Sequence, residues 1–168
     1  IVCYDDDRCL DELSKYENID YFYIKLRNPN KYKFNLYCNE LMNKVKDGWI
    51  IFLDDDDMLT NENCLKKINM SLSDDNDIVF WKFLRPDRII FPKNIQKVYC
   101  GHVVSCGYCF HSKFKDTSKW IPRRSGDYYF LGNLLKNNFN RKFINNILTC
   151  TVYNDRKQNY GCKESMTN

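Results

Sequence analysis

Four aspartates, Asp54, Asp55, Asp56 and Asp57, stand side by side between the apolar run 49–53 and the pair Met58-Leu59. Like charges this close repel one another. Carboxylates held between buried segments are costly unless a cation neutralises them. Their hard oxygens suit Mg2+ or Mn2+, ions commonly shared with the phosphates of a substrate. The alternative is a solvated acidic turn, which the flanking apolar residues disfavour. A second cluster, Asp5-Asp6-Asp7, closes the first apolar stretch of the chain. Asp127 follows a glycine at what reads as a helix start, where a carboxylate can cap backbone N–H groups or take a proton from a hydroxyl.

Several other chemistries are disfavoured by residue type and spacing. An EF-hand calcium loop begun at Asp54 needs glycine at its sixth position and glutamate at its twelfth, but Leu59 and Leu65 stand there. The D-x-D-x-T pattern of haloacid-type phosphohydrolases meets Met58 in place of its threonine. Cys100, His102, Cys106, Cys109 and His111 are crowded enough to raise zinc. Alternation along a strand would turn neighbours to opposite faces, however, and the spacing fits no common finger. Cys106 and Cys109 have redox C-x-x-C spacing, yet Phe110 continues a strand pattern where a helix should begin. The nine cysteines are odd in number and scattered, in a chain whose 43% hydrophobic content supplies a core without disulfide staples. They read mostly as reduced, buried small hydrophobes, which places the protein in a reducing compartment, the cytoplasm.

The elements that must carry these acids follow from periodicity. Residues 1–4 read as the end of a strand, 8–16 as a short amphipathic helix, and 19–26 as a strand rich in aromatic and β-branched residues. Residues 34–45 place Tyr37, Leu41, Met42 and Val45 on one helical face, stopping near Asp47-Gly48. The continuous apolar run 49–53 suits a strand buried on both faces, as in a parallel sheet. Thr60 can cap a helix bearing Leu65, Ile68 and Leu72. Residues 77–84 and 103–111 read as strands, the latter with Gly107 as a bulge. Residues 129–135 read as a helix and 143–153 as a closing strand. The β-α alternation of the first half of the chain predicts a mostly parallel sheet with helices on both faces. Ligands of such sheets sit at the carboxyl ends of the strands, so both acidic clusters fall on one rim.

The net charge of +4, with acids and bases interleaved, does not point to nucleic acid and is compatible with a small anionic ligand. No apolar run approaches the roughly 20 residues of a membrane span. Arg85, Arg88, Arg123 and Arg124 are candidate anion contacts. Trp120 is either a sugar-stacking aromatic or a loop anchor, and His102 and His111 are possible phosphate or acceptor contacts.

Residues 1–59 resemble the GT-A fold of glycosyltransferase family 2. That family joins an acidic strand-end turn of the VVDDGS type, an IxYIxL-like strand, and a segment containing an asparagine and ending FLDxDD. Here the pieces read IVCYDDDRCLDEL, IDYFYIKL and FNLYCNELMNKVKDGWIIFLDDDDML, with Asn35 or Asn39 near the family's asparagine. RRSGDYYFLGNLL, residues 123–135, resembles the family's GEDyxF helix start, with Gly126 where the first acid of that pair would stand.

The resemblance implies an α/β three-layer sandwich with a mostly parallel central sheet, forming one domain over residues 1–168. The family's first strand-helix unit, with its PTYNR-like turn, has no counterpart here, so the chain is expected to lack it. The resemblance also implies roles. Asp5 or Asp6 meets the nucleoside, Asp54 and Asp55 lie near the ribose and the metal, and Asp56 with Asp54 ligates Mn2+ or Mg2+ at the donor diphosphate. Asp127 is the general base. The implied reaction is inverting transfer of a sugar from a nucleotide-sugar, a UDP-sugar, to a hydroxyl of a glycan, protein or lipid. A catalytically inactive GT-A-like module that binds nucleotide or glycan is the alternative.

Overall fold

The computed structural model describes residues 1–4, 10–26, 32–93 and 100–152. Strand β1 (Val2–Tyr4) pairs in parallel with β2 (Tyr21–Tyr23), and the short helix α1 (Leu10–Leu13) falls between them in the chain. After helix α2 (Phe34–Lys44) come strands β3 (Trp49–Ile51) and β4 (Asp57–Leu59), then helix α3 (Cys64–Ser71). Strands β5 (Asp77–Leu84), β6 (Ile90–Phe91) and β7 (Tyr108–His111), helix α4 (Gly126–Leu134) and the long strand β8 (Asn140–Thr151) complete the fold.

The larger sheet is six-stranded, ordered β3-β7-β5-β8-β4 with β6 on β5. It is mixed, which corrects the expected mostly parallel arrangement. Only β5 and β8 pair in parallel, whereas β7 is antiparallel to both of its neighbours, β3 and β5. Strands β3, β5 and β8 therefore run the same way, as the β-α alternation of the first half predicted for β3 and β5, and β7 is inserted between the first two against that direction. The apolar run at β3 is indeed covered on both sides. Ile50 and Phe52 join one core cluster with Cys38 and Met42 of α2 and Phe130, Leu131 and Leu134 of α4. Trp49 and Ile51 pack on the other, with Cys64 and Ile68 of α3. Burial on both faces reports helices above and below a strand; it carries no information about strand direction.

Several local expectations shift. Thr60 is not the helix cap: its Oγ1 donates to the Ile147 carbonyl at 3.0 Å, tying the end of β4 to β8, and α3 begins after Asn63. Gly107 is not a strand bulge but ends a 3-10 turn, Ser105–Gly107, that leads into β7. The last helix begins three residues before the expected position, at Gly126, which brings Asp127 into its first turn. No helix among the described residues is long and apolar enough to cross a membrane.

The start of β5 is fixed by a buried ion pair. Asp77 is fully buried, and Lys142 Nζ of β8 donates to its Oδ2 at 2.7 Å. Burial alone would raise this carboxyl, but the Lys142 hydrogen bond, the N–H groups of Ser73 and Asp74 and the Lys142 charge hold it at about 2. A depressed carboxyl contributes stability that is complete above its unfolded value near 4 and is lost as pH falls toward 2. Lys142→Met should therefore destabilise the fold by about 3 kcal/mol, read as a lower urea midpoint. The deficit should shrink below pH 4, and one that is constant down to pH 2 would show that the pair is not its cause.

Candidate active site at the acidic rim

The strand directions place the end of β3, the end of β8 and the turn before β7 on one edge of the sheet. From that edge the acids project. Asp57 N–H donates to the Asp54 carbonyl at 3.0 Å, so residues 54–57 form a tight turn rather than an extended run. Val152 N–H donates to the Asp56 carbonyl at 2.7 Å and anchors the turn to the end of β8. The two outer acids have side-chain partners: Ser105 Oγ donates to Asp54 Oδ2 at 3.2 Å, and Thr151 Oγ1 donates to Asp57 Oδ1 at 2.8 Å. Behind them the buried Trp81 indole donates to the Cys106 carbonyl at 2.9 Å and contacts Thr149 Oγ1 at 3.0 Å, bracing the turn that presents Ser105.

The electrostatics bear the mark of crowding. Asp54 touches solvent, yet protein hems it in. This desolvation, then repulsion from Asp57, raises its carboxyl to about 6; the Ser105 hydrogen bond opposes the rise and Asp56 and Asp55 add to it. Asp56 is raised by burial first, then by Asp57 and Asp55, while a hydrogen bond from its own N–H opposes the rise. Asp55 is exposed at the tip of the turn. Among the described residues no three His, Cys, Asp or Glu side chains converge on one point.

A raised acid costs stability where it is ionised in the fold. Asp54 keeps its proton to about pH 6 when folded and to about 3.8 when unfolded, so its penalty grows between those values and is complete above 6. Asp54→Asn, which keeps an acceptor for Ser105, should raise the melting temperature at pH 8 by about 2 °C after allowance for solvent screening. The gain should vanish near pH 4, and a lower melting temperature at pH 8 would mean that repulsion is not what governs Asp54.

Asp127 is partly buried in the first turn of α4. Burial raises its carboxyl, while the N–H groups of Tyr128 and of Asp127 itself pull it back. Its position is set by a clamp that the sequence did not announce. Asn35, in the first turn of α2, is 5% exposed and donates through Nδ2 to the carbonyls of Ile121 at 3.0 Å and Arg123 at 2.8 Å. One turn on, Asn39 Nδ2 donates to the Trp120 carbonyl at 2.9 Å, and Trp120 N–H donates to Asn39 Oδ1 at 2.9 Å. These bonds hold the segment that leads into α4. A Cβ on Gly126 would overlap Asn35 Nδ2 and lie 2.8 Å from Asn35 Cγ. The glycine beside Asp127 is thus required by close packing on the clamp. Tyr108, fully buried in the wall beneath, is held well above 10 by burial and then by the charges of Asp127, Cys38 and Asp54, so it senses both acidic positions.

The remaining candidates divide. Trp120 is not exposed for stacking on a sugar: it is buried and stacks on Phe130 at 4.8 Å between ring centroids. Arg85 pairs with Asp87 at 3.0 Å, and Arg88 takes a positive φ of 63° in the turn that follows. His102 stacks on Phe91, whereas His111 lies against Asp47 and Asp75 at 3.5 and 3.7 Å. Cys106 and Cys109 are buried and unpaired, as are Cys38 and Cys64. Arg123 and Arg124 sit beside Asp127 and line an open cavity with Tyr128 and Tyr129. Asp5 and Asp6 lie outside the described residues. Ser105, Thr151 and the clamp's role for Asn35 had no signal in the sequence, because they are contacts between distant segments.

No family model matches the chain, and no curated protein matches it in sequence. Solved structures do. A crystal structure of residues 1–349 of S. aureus TarS, a glycosyltransferase, superposes with a TM-score of 0.68 at 14% identity over 90% of this chain. A second structure of S. aureus TarS gives a TM-score of 0.65 at 15% identity, again over 90% of this chain. The chain spans 50% of the first and 30% of the second. The fold is therefore glycosyltransferase-like.

Proposed function

We propose that this chain is a glycosyltransferase domain that moves a sugar from a nucleotide-sugar, a UDP-sugar, to a hydroxyl of a glycan, protein or lipid acceptor, with metal dependence and inversion. The observation that carries the reading is the crowded acidic turn at the end of β3, on a rim of a glycosyltransferase-like fold. Repulsion among Asp54, Asp56 and Asp57 is partly relieved by hydrogen bonds from Ser105, Thr151 and the Asp56 N–H. A divalent cation and the diphosphate it carries would relieve the rest.

The donor set fits Mn2+ or Mg2+, which take one or two carboxylates and complete their shell with substrate phosphate and water. Asp56 is the principal ligand and Asp54 the second. Bound there, the ion supplies positive charge against the leaving nucleoside diphosphate. Asp55, at the exposed tip, and Asp54 face the ribose, and Asp5 or Asp6 meets the base or ribose. Asp127 takes the proton of the acceptor hydroxyl as its oxygen attacks the anomeric carbon opposite the departing diphosphate, so the configuration inverts. Burial raises the basicity of Asp127, which favours this role.

The test is calorimetry of UDP binding with and without Mn2+, followed by a donor-hydrolysis assay over a panel of nucleotide-sugars. Mn2+-dependent binding with hydrolysis of one donor is expected. Binding without hydrolysis of any donor assigns the chain to the alternative, a nucleotide- or glycan-binding module. Absence of metal-dependent UDP binding overturns the transferase reading and leaves only a glycan-binding module.

A further inference from the structure

Beneath the acidic turn lies a frame of uncharged hydrogen-bonding groups. Its base, Trp81 of β5, Cys106 and Thr149 of β8, is fully buried. Trp81 Nε1 is shared between the Cys106 carbonyl at 2.9 Å and Thr149 Oγ1 at 3.0 Å, and Thr149 Oγ1 donates to the same carbonyl at 2.9 Å. Two donors on one carbonyl tie the 3-10 turn Ser105–Gly107 to the sheet beneath it. A buried polar network with its partners in place is rigid and specifies one arrangement.

Two hydroxyls reach from this frame to the acids. The buried Ser105 donates from Oγ to Asp54 Oδ2 at 3.2 Å. Thr151 stands two residues beyond Thr149, on the same face of β8. It lies opposite Asp57 in the register of β4 with β8, and its Oγ1 donates to Asp57 Oδ1 at 2.8 Å. The Cys106 thiol bonds to Asp57 as well, and burial first and the Asp57 charge second hold that thiol above its usual range. Val152 N–H donates to the Asp56 carbonyl at 2.7 Å and closes the frame. A carboxylate with one oxygen already accepting a hydroxyl proton offers its other oxygen to an ion, and a two-oxygen grip would have to share the first. Ca2+ takes roughly six to eight oxygens and often uses both oxygens of a carboxylate, whereas Mg2+ keeps several waters and binds through one or two carboxylates and substrate phosphate. Mn2+ likewise suits carboxylate and water.

We infer that Ser105 and Thr151 are positioning residues that set the ion selectivity of the acidic turn: by engaging one oxygen of Asp54 and one of Asp57, they favour Mn2+ or Mg2+ and discriminate against Ca2+. The inference rests on the metal-dependent reading of the site given above. Trp81 and Thr149 act one layer further out, by holding the turn that carries Ser105.

The experiment follows Mn2+ binding to the chain by electron paramagnetic resonance, without and with UDP, and repeats each titration in competition with Ca2+. Wild type should hold Mn2+ about tenfold or more tightly than Ca2+. Ser105→Ala and Thr151→Val each remove one hydroxyl with little change of shape. Each should weaken Mn2+ by about 10- to 100-fold and leave Ca2+ bound as tightly as before or more tightly, so the preference narrows or reverses. Ser105→Thr and Thr151→Ser keep a hydroxyl and should keep the preference. A general loss of packing would weaken both ions together and would show in a thermal melt. Equal affinity of wild type for the two ions, or an unchanged preference in both Ser105→Ala and Thr151→Val, overturns the inference, and the transferase reading stands if Mn2+ still promotes UDP binding. Selective Mn2+ binding that narrows in the variants but is indifferent to UDP upholds the inference and removes the transferase reading. No Mn2+ bound under either condition overturns both.

Discussion

Replacing Asp56 with alanine is expected to abolish Mn2+-dependent UDP binding, with affinity falling about 100-fold or more, while the chain stays folded. The four neighbouring acids are not equivalent, and their hydrogen bonds separate them. Asp57 is held by Thr151 and Asp54 by Ser105, which leaves each with reduced freedom to turn toward an ion. Asp55 is exposed at the tip. Asp56 is half-buried, its carbonyl pinned by Val152, and its carboxyl is raised by burial first and then by Asp57 and Asp55, with its own N–H as the opposing contact. It is the position where a cation gains most. The same argument predicts the stability. Removing a charge that its neighbours repel should leave the melting temperature at pH 8 unchanged or higher, so lost binding cannot be ascribed to unfolding. Calorimetry of UDP with and without Mn2+ reads the first quantity and a thermal melt the second. Unchanged metal-dependent binding in the alanine variant would sink the assignment of Asp56 as ligand.

The acidic rim was legible because two simple rules converge there: an apolar run of strand length followed by polar charge, and a β-α alternation that makes successive strands point the same way. In the structure β3, β5 and β8 are co-directional, whereas β1 and β2 form a separate two-stranded sheet and β4 and β7 run the other way. The parallel sheet did not survive, because alternation says nothing about a strand that enters later. Strand β7 follows a turn and a long connection from β6, and it slots in antiparallel between β3 and β5. Its all-buried pattern is the same as that of a parallel strand. Trp120 illustrates a second limit. Preceded by KDTSK, it reads equally as an exposed sugar-stacking aromatic or a loop anchor; the structure takes the second, with Asn39 gripping its backbone and Phe52 and Phe130 enclosing its ring. Asn35 and Asn39 belonged to a recognisable segment, but what they grip lies more than 80 residues away in the chain. Local pattern finds the residues that carry charge; it does not find the ones that hold them in place.

Asp127→Asn should leave Mn2+-dependent UDP binding within about twofold of wild type and lower sugar transfer by about 1,000-fold, within the range of general-base effects. The two functions separate because Asp127 lies on α4 rather than on the turn at the end of β3, and burial rather than any of the four rim acids is the first cause of its raised carboxyl. Its other conceivable role is structural. As an acid in the first turn of α4 it accepts from the N–H of Tyr128 and complements the helix dipole, a contribution of about 0.3–1 kcal/mol. Asparagine keeps an acceptor and loses the charge, so a purely structural Asp127 predicts a small melting shift and nearly full activity. A base predicts the same small melting shift with almost no activity. The pH profile adds a check. Wild-type transfer at saturating donor should fall as pH drops through the raised value of Asp127, because the protonated carboxyl cannot accept a proton, and the residual activity of the asparagine variant should lack that limb. Transfer retained by the variant, or an acid limb unchanged in it, would move the base elsewhere on the rim.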